Sequence, residues 1–490
     1  MTVARLFTGE TRMLIDGKLV DSPSGKTFDN INPATEEVLG SVANADESDM
    51  ARAIASARRA FDETDWSTNH MFRRVCLEQL HRAIVSEQEQ LREELIAEVG
   101  SPRALTYANQ LDRPLDEFRS WPAFIDEFEW ERVLPEESGS SKTERRVVKE
   151  ARGVIGAIVP WNVPFGITLG KVAHALAAGN TIVVKPAPDT PWNATRLGRL
   201  VSEHTDIPPG VLNVVTTSDN AVAEQLLVSP MVDMISFTGS TATGKRVMEL
   251  GAMTMKRVFL ELGGKSAMII LDDADFASAV PTGAVICTNA GQGCVLPSRM
   301  LLPRSRYDEG VELITEAMKA VRCGDPNDIQ VMAGPLINAR QRERVLSYID
   351  KGRKEGAKLV VGGGVPDNLE RGYFVEPTLF VDVENSMTIA REEIFGPVLS
   401  VIPFEDDADA IRIANDSRYG LGGFIQSTNQ ARAAAVARRI RTGVVSINNA
   451  SFGGFDAPFG GYKMSGVGRQ NGIEGFNEHL ETKTIATILN

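Results

Sequence analysis

Cysteine and histidine are both scarce in this chain of 490 residues, which contains only four cysteines and five histidines. The cysteines are widely spread, with no Cys-x-x-Cys pair and no dense framework that disulfides could build. This pattern argues against a cysteine zinc site and is typical of proteins from a reducing compartment. We therefore expect a cytoplasmic protein whose site holds no metal.

Long apolar runs and an excess of basic residues are lacking as well. The first ten residues contain no apolar core of a signal peptide, and the most apolar region, residues 154–184, is interrupted by prolines, asparagines and Lys171. The 52 basic and 65 acidic residues give a net charge of −13, which argues against a nucleic-acid-binding face. We therefore expect neither a membrane nor a nucleic acid as a partner.

The order of apolar runs predicts the fold class. Short β-rich runs alternate with helical stretches between residues 154 and 261, and a second alternating series covers residues 267–448. Such alternation predicts parallel sheets built from βαβ units, with ligands at the carboxyl ends of the strands. We predict an α/β protein with two Rossmann-like doubly wound domains. Residues 276–288 are predicted to be helical, and residues 482–490 to form a lone strand that pairs near Glu144 or with another subunit.

A stretch with the elements of covalent chemistry lies between Glu261 and Cys294. It opens with Glu-Leu-Gly-Gly-Lys at residues 261–265 and closes with Gly-Gln-Gly-Cys at residues 291–294. A thiol nucleophile needs a helper, and a carboxylate that activates water is one such helper. Most cysteines and glutamates have no chemical role, so this pairing alone is a weak indication.

Three further motifs follow predicted strands, where ligands of a parallel sheet bind. Residues 239–245 imitate a phosphate-binding loop, but Arg246 stands where the magnesium-binding hydroxyl is required. A dinucleotide pyrophosphate at the start of the helix suits this loop better than a nucleoside triphosphate. Asn162 is either a turn former or a donor to an oxyanion. Lys185 is either a solvated lysine or a ligand of sugar hydroxyls.

These motifs together resemble the aldehyde dehydrogenase superfamily over nearly the whole chain. The joint order and spacing carry the resemblance, since each motif is weak alone. The matching segments are residues 160–162, 185–186, 237–240, 261–264, 291–294, 393–397 and 458–463.

The resemblance implies an NAD(P)-dependent enzyme that oxidises an aldehyde and hydrolyses the resulting thioester. Cys294 would attack the aldehyde to form a thiohemiacetal, and Asn162 with the Cys294 backbone N–H would stabilise the oxyanion. Glu261 would activate the water that hydrolyses the thioester. The cofactor implied is NAD, with NADP as a weaker alternative. The residues that the resemblance places at the cofactor are Trp161, Lys185, Gly239, Ser240, Gly244, Glu393 and Phe395.

The resemblance also implies a division into three parts and a homodimer or homotetramer. Residues 1–129 and 151–262 would form the NAD(P)-binding domain, and residues 263–465 the catalytic domain. Residues 130–150 and 478–490 would form a β arm that mediates oligomerisation.

Four positions depart from the usual family pattern. Pro188 stands where many members have an acidic residue, and Gln470 stands where many have glutamate. Gly170 and Gly453 stand where aromatic residues of the substrate tunnel are common. We therefore expect a roomy tunnel for a medium-size apolar or aromatic aldehyde, without a well-placed arginine that would bind an acid semialdehyde.

Three other functions remain open at this stage. A CoA-acylating relative would pass the acyl group to a thiol, but such members usually lack the glutamate that Glu261 supplies. A non-catalytic binding protein on the same fold would not need Cys294, Asn162 and Glu261 together. A Cys–His hydrolase would need a dyad, and the five histidines form no recognisable dyad motif.

Overall fold

The structure is a computed structural model that describes residues 9–135 and 142–489. Residues 1–8, 136–141 and 490, which belong to the predicted first domain and the predicted arm, lie outside the described residues. In chain order the strands are β1 (Met13–Ile15), β2 (Lys18–Val20), β3 (Thr27–Ile31), β4 (Val38–Ala43), β5 (Glu131–Val133), β6 (Thr143–Ala151), β7 (Val154–Ile158), β8 (Thr181–Lys185), β9 (Leu212–Val214), β10 (Met234–Thr238), β11 (Arg257–Glu261), β12 (Ser266–Ile270), β13 (Pro297–Pro303), β14 (Lys358–Val361), β15 (Thr378–Val381), β16 (Val398–Phe404), β17 (Gly422–Gln426), β18 (Val444–Ile447), β19 (Gly466–Val467) and β20 (Leu480–Ile488).

The helices alternate with these strands in the two main domains. In chain order the α-helices are α1 (Glu47–Glu63), α2 (His70–Ser86), α3 (Gln88–Val99), α4 (Arg103–Thr106), α5 (Asp112–Phe118), α6 (Trp121–Glu127), α7 (Pro164–Ala177), α8 (Trp192–His204), α9 (Asn220–Val228), α10 (Thr241–Gly251), α11 (Phe276–Ala279), α12 (Tyr307–Lys319), α13 (Ala339–Lys354), α14 (Thr388–Arg391), α15 (Asp407–Asn415), α16 (Gln430–Ala437) and α17 (Gly472–Glu478). Short 3₁₀ helices cover Ala252–Thr254, Val280–Gly291, Arg304–Arg306 and Lys463–Ser465.

The first domain is built on an eight-stranded sheet in the order β19-β11-β10-β7-β8-β9-β1-β2. Strands β7 to β11 are parallel, and all five residues of β8 are buried, as expected where helices cover both faces. The chain runs outward from β7 to β9 and then returns to place β10 on the other side of β7. This reversal creates a crevice at the carboxyl ends of β7 and β10, which is the usual ligand position in such sheets.

The second domain has a seven-stranded sheet in the order β14-β15-β16-β13-β12-β17-β18. All its strand pairs are parallel except β14 with β15. The two parallel sheets confirm the predicted α/β class with two doubly wound units.

The C-terminal strand finds its partner within the same chain. Strand β20 pairs antiparallel with β6 along its full length, from Leu480 opposite Ala151 to Ile488 opposite Thr143. Strand β5 pairs with the other side of β6, which gives a small three-stranded sheet. Of the two partners predicted for the terminal strand, the region of Glu144 is therefore the one observed.

The predicted helix at residues 276–288 is wrong in most of its length. The α-helix ends at Ala279, and the chain continues to Gly291 in 3₁₀ turns interrupted at residues 288–290. Pro281 lacks a backbone N–H and Gly283 weakens a helix, so the run cannot sustain regular α-helical hydrogen bonds. The irregular segment leads directly into the loop that carries Cys294.

Candidate active site

Four of the predicted site residues lie along one edge of the first sheet. Asn162 follows β7 and Gly239 follows β10, while Lys185 and Glu261 are the last residues of β8 and β11. The register places Ile158 beside Lys185 and Thr238 beside Glu261. Because the carboxyl ends of neighbouring parallel strands meet at one edge, these residues surround the crevice between β7 and β10.

The loop of Cys294 is held against the end of β11 by close backbone packing. A side chain at Gly264 would overlap the carbonyl oxygen of Cys294, and one at Gly291 would overlap the carbonyl of Gly396. Gly291 also has φ of +75°, a conformation that glycine adopts without steric strain. These glycines allow the partly buried Cys294 to approach the segment that begins at Glu261.

The side chain of Asn162 is buried beside the residues that precede Cys294. Its Nδ2 donates to the carbonyl of Gln292 at 3.1 Å, and Gln110 Nε2 donates to the Asn162 carbonyl at 2.8 Å. Gln292 is anchored in turn, because its Nε2 donates to the Asn289 carbonyl at 3.0 Å and its Oε1 accepts from Ile337 N–H at 2.9 Å. An amide NH₂ has two hydrogens, so Asn162 has one left for a substrate oxygen.

Glu261 carries a buried carboxyl group without a hydrogen-bond partner for either oxygen in the described ranges 9–135 and 142–489. Burial raises the pKa of Glu261 to about 8, and the charges of Lys171 and Arg469 oppose this rise. A carboxyl group of this kind exchanges protons close to neutral pH, which suits a general base. Its unsatisfied oxygens are also free to bind water.

The surroundings of Cys294 favour the protonated thiol. Burial, followed by the negative charges of Glu261 and Glu393, raises the pKa of the thiol to about 12, while the backbone N–H groups of Cys294 and Val295 act in the opposite direction. Because the thiolate is the nucleophilic form, attack requires that a base or a change of surroundings remove this proton.

Lys171 belongs to the site, although the motifs did not identify it. It lies in α7, fully buried, with Nζ donating to Ser236 Oγ at 2.8 Å and lying 5.1 Å from the centre of the Phe259 ring. Burial lowers the pKa of Lys171 to about 7, and the charge of Glu261 opposes this shift. The signal was present in the sequence, since Lys171 interrupts the most apolar region of the chain.

On the first-domain side of the crevice, Lys185 and the start of α10 provide donors. Lys185 is buried, which lowers its pKa to about 8, with the charge of Asp189 opposing the shift. Ser240 caps α10, because its Oγ accepts from Thr243 N–H at 3.2 Å. A Cβ at Gly244 would lie 2.5 Å from Leu262 Cδ2, so this glycine lets α10 pack tightly beside the end of β11.

The second domain contributes Glu393 and Phe395 to the same crevice. Glu393 Oε1 accepts from the backbone N–H of Gly264 at 2.9 Å, which connects it to the loop after Glu261. The ring of Phe395 meets the ring of Trp161 edge to face, with centroids 5.4 Å apart. The predicted site residues from both domains are therefore brought together.

A cavity of about 260 Å³ lies beside these residues. Its lining includes Val163, which follows Asn162, and Phe459, which precedes Gly460. A Cβ at Gly460 would be 2.9 Å from Glu261 Oε1. The cavity therefore adjoins the site through residues next to Asn162 and Gly460, and most of its wall is apolar or aromatic.

The expectation that Gly170 and Gly453 leave open space is wrong. A Cβ at Gly170 would lie 2.6 Å from Gln470 Nε2, and a Cβ at Gly453 would overlap the guanidinium of Arg113. Arg113 lines the cavity and pairs with Glu117 of the same helix, and the absence of an arginine that would bind an acid semialdehyde stays a prediction. The contribution of Arg113 depends on a contact between α5 and a distant loop, which no local motif encodes.

Two kinds of feature are absent from residues 9–135 and 142–489. In these ranges, no three or more His, Cys, Asp or Glu residues are grouped where they could hold a metal ion. No helix of the described chain combines the length and apolar character required to cross a membrane.

Comparison with known proteins gives full-length matches. A model of the aldehyde dehydrogenase family matches residues 19–485. A 3-succinoylsemialdehyde-pyridine dehydrogenase from a Pseudomonas species is 44% identical over 475 residues, which are 96% of this chain and 97% of that protein.

Solved structures show the same similarity. Aldehyde dehydrogenase C of Pseudomonas syringae, crystallised as a mutant with NAD⁺ and octanal, superposes with a TM-score of 0.92 at 39% identity, over 97% of this chain and 96% of that one. A Mycobacterium tuberculosis aldehyde dehydrogenase with NAD⁺ superposes with a TM-score of 0.93 at 40% identity, over 98% of each chain.

Proposed function

The chain belongs to the aldehyde dehydrogenase family, and from this membership we propose that it oxidises an aldehyde to the acid with NAD⁺ through a covalent intermediate on Cys294. The observation that supports this most strongly is the convergence of a thiol, an amide donor and an unpaired buried carboxyl group at one sheet edge. A nucleophile, an oxyanion donor and a base are what acyl transfer through a thioester requires.

The proposed reaction has an addition step and a hydrolysis step. The Cys294 thiol gives its proton to solvent, and the resulting thiolate adds to the aldehyde carbon. The free N–H of Asn162 with the backbone N–H of Cys294 stabilises the oxyanion that forms. NAD⁺, when bound, supplies the acceptor for the hydride that leaves the thiohemiacetal. Glu261 then takes a proton from water while the water oxygen attacks the thioester carbon. The acid departs and the Cys294 thiolate is restored.

The residues around the crevice suit NAD⁺ by their chemistry. The N–H groups at the start of α10 suit a pyrophosphate, and the buried Lys185 has the donors that ribose hydroxyls accept. The carboxylate of Glu393 is suited to the second ribose, and Trp161 with Phe395 offers an aromatic surface beside it. The relatives crystallised with NAD⁺ support the same choice of cofactor.

We predict that NAD⁺ is preferred over NADP⁺ by less than about a thousandfold. Pro188 cannot repel a 2′-phosphate, and Asp189 is already engaged, since its Oδ1 accepts from Asn338 Nδ2 at 2.9 Å and its charge faces Lys185. Loss of a like-charge contact leaves discrimination modest. The measurement is kcat/KM for both cofactors at one saturating aldehyde concentration. A larger preference would mean that Asp189 or another acid excludes the phosphate.

We further propose a medium-size apolar or aromatic aldehyde as the substrate. The aromatic wall of the cavity supports this, and its volume of about 260 Å³ is near the lower end of the ~300–1,000 Å³ range of drug-sized ligand sites. The relatives support it as well, since one is named for a pyridine semialdehyde and another was crystallised with octanal.

An aldehyde panel tests both the reaction and the substrate class. We expect NADH formation without CoA, and a kcat/KM for hexanal that exceeds that for acetaldehyde roughly tenfold to hundredfold, because each buried methylene contributes up to ~0.8 kcal/mol. A preference for acetaldehyde over both hexanal and benzaldehyde would contradict the substrate class. A strict requirement for CoA would favour the acylating alternative, and no turnover with any aldehyde would favour a binding protein.

We also propose that the chain is cytoplasmic and forms a homodimer or homotetramer through its small sheet. Strand β20 has a strand partner on only one side among the described residues, and its residues after Leu480 are exposed. An unpaired strand edge is a ready site for association. Light scattering after size-exclusion chromatography should give the mass of two or four chains. Deletion of residues 480–490 should lower this mass toward that of one or two chains.

A further inference from the structure

Two of the polar side chains in the wall of the cavity beside the site stand against glycines. They are Arg113 from α5 and Gln470 from the segment before α17, and each occupies the space left by a glycine. The Arg113 side chain is 43% exposed, so its guanidinium lines the cavity while keeping contact with water. This arrangement concerns which aldehyde binds, so it rests on the proposed function.

Arg113 is already paired with a carboxylate from its own helix. Its Nε donates to Glu117 Oε1 at 2.9 Å, one helical turn away, and both residues line the cavity. Among the described residues, this is the hydrogen bond that the guanidinium makes. An arginine has five N–H donors, so its terminal nitrogens keep donors for a ligand, while the pair as a whole carries no net charge.

We propose that Arg113 is a specificity-determining residue that donates a hydrogen bond to a neutral acceptor, such as a keto or amide carbonyl, on the far part of the aldehyde. The substrate class is therefore an aldehyde with an apolar or aromatic body and a second carbonyl group. An aldehyde ending in a carboxylate is disfavoured, because Glu117 lies against the same guanidinium and repels a second negative charge.

Gly453 has a defined part in this arrangement. Because a Cβ at this position would overlap the terminal nitrogen of Arg113, a side chain here must displace the guanidinium. Gly453→Ala should therefore reproduce the effect of losing Arg113 without changing its charge, which makes Gly453 a positioning residue.

The test compares aldehydes that differ only in the second carbonyl. We expect wild-type kcat/KM for 4-oxo-4-phenylbutanal or 5-oxo-5-phenylpentanal to exceed that for 4-phenylbutanal or 5-phenylpentanal by roughly tenfold or more. Arg113→Met and Gly453→Ala should reduce this ratio to within about threefold, because the keto aldehyde then loses a hydrogen bond that the plain aldehyde does not make. Arg119→Met, an exposed arginine just after the same helix, should keep the wild-type ratio.

Glu117→Gln tests the inference through an expected increase in kcat/KM, and not through a loss. Removing this negative charge should raise kcat/KM for 6-oxohexanoate by roughly tenfold relative to hexanal, since the guanidinium is then free to pair with a carboxylate. The melting temperature of each variant shows whether it is folded, and Arg113→Lys, which keeps a donor, should retain part of the keto preference.

Several results would overturn the inference. It is refuted if the wild type shows no preference for the keto aldehyde at either chain length. It is also refuted if Arg113→Met keeps the wild-type ratio of kcat/KM, or lowers kcat/KM for the keto and the plain aldehydes equally. Oxidation of hexanal alongside any of these results would leave the proposed function intact. Absence of NADH from every aldehyde would instead contradict the proposed function, and this inference with it.

Discussion

Cys294→Ala lowers kcat for aldehyde oxidation by on the order of 10⁴-fold or more, in line with losses on removing other enzymes' nucleophiles. The reason is that alanine cannot form the thiohemiacetal from which hydride leaves, so the remaining groups have no covalent intermediate to act on. The measurement is NADH formation from saturating hexanal and NAD⁺. Binding should persist, because the change removes one sulfur and leaves the cavity wall intact.

Cys287→Ala is the matched control for this change. Cys287 lies seven residues earlier, fully buried, with its sulfur 3.8 Å from Met318 Sδ. Its loss should lower the melting temperature slightly, as small core truncations do, while kcat stays within about twofold of the wild type. Substantial hexanal oxidation by the Cys294 variant, or equal inactivation of both variants, would contradict the role of Cys294.

Glu261→Gln separates the two halves of the reaction. Steady-state turnover should fall by roughly 10²–10⁴-fold, the usual contribution of a general base, while rapid mixing still shows up to one NADH per site. Because the charge of Glu261 is among the causes that raise the pKa of Cys294, its removal favours the thiolate and should not slow the burst. If the burst and the steady rate declined together, Glu261 would act before hydride transfer.

The pH profile of the wild type serves as the control for this variant. The pKa of Glu261 is raised to about 8, and a base works only when unprotonated. The hydrolysis rate should therefore fall as pH decreases through about 8 and level off above it. In Glu261→Gln this limb should disappear, and a limb that persisted unchanged would assign the titration to another group, such as Lys171.

The positions of residues at the ends of parallel strands follow from the sequence alone. The alternation of apolar runs predicts parallel strands, so Asn162, Lys185, Gly239 and Glu261 were expected at one sheet edge, where the structure has them. The hairpin turn of β1 and β2 is equally local, since Asp16 and Gly17 both adopt positive φ, as this residue pair favours.

Features that depend on contacts between residues distant in the chain cannot be predicted from the local sequence pattern. The glycine at 453 suggested open space, but the guanidinium of Arg113, 340 positions earlier in the chain, fills it. The segment before Cys294 was predicted as a helix from its apolar composition, whereas Pro281 and the positive φ of Asn289 and Ala290 lead the chain into an irregular turn. Packing and backbone geometry decided both outcomes.

In the proposed mechanism, the acyl group of the substrate is carried on Cys294 until Glu261 activates water. Mixing Glu261→Gln with hexanal and NAD⁺, stopping the reaction after the burst with acid, and digesting the protein allows the intermediate to be located by mass spectrometry. We expect a hexanoyl group on the peptide that contains Cys294, close to one per chain, and none when NAD⁺ is omitted. A burst of NADH without this adduct, or with the hexanoyl group on Cys76, Cys287 or Cys323, would contradict it.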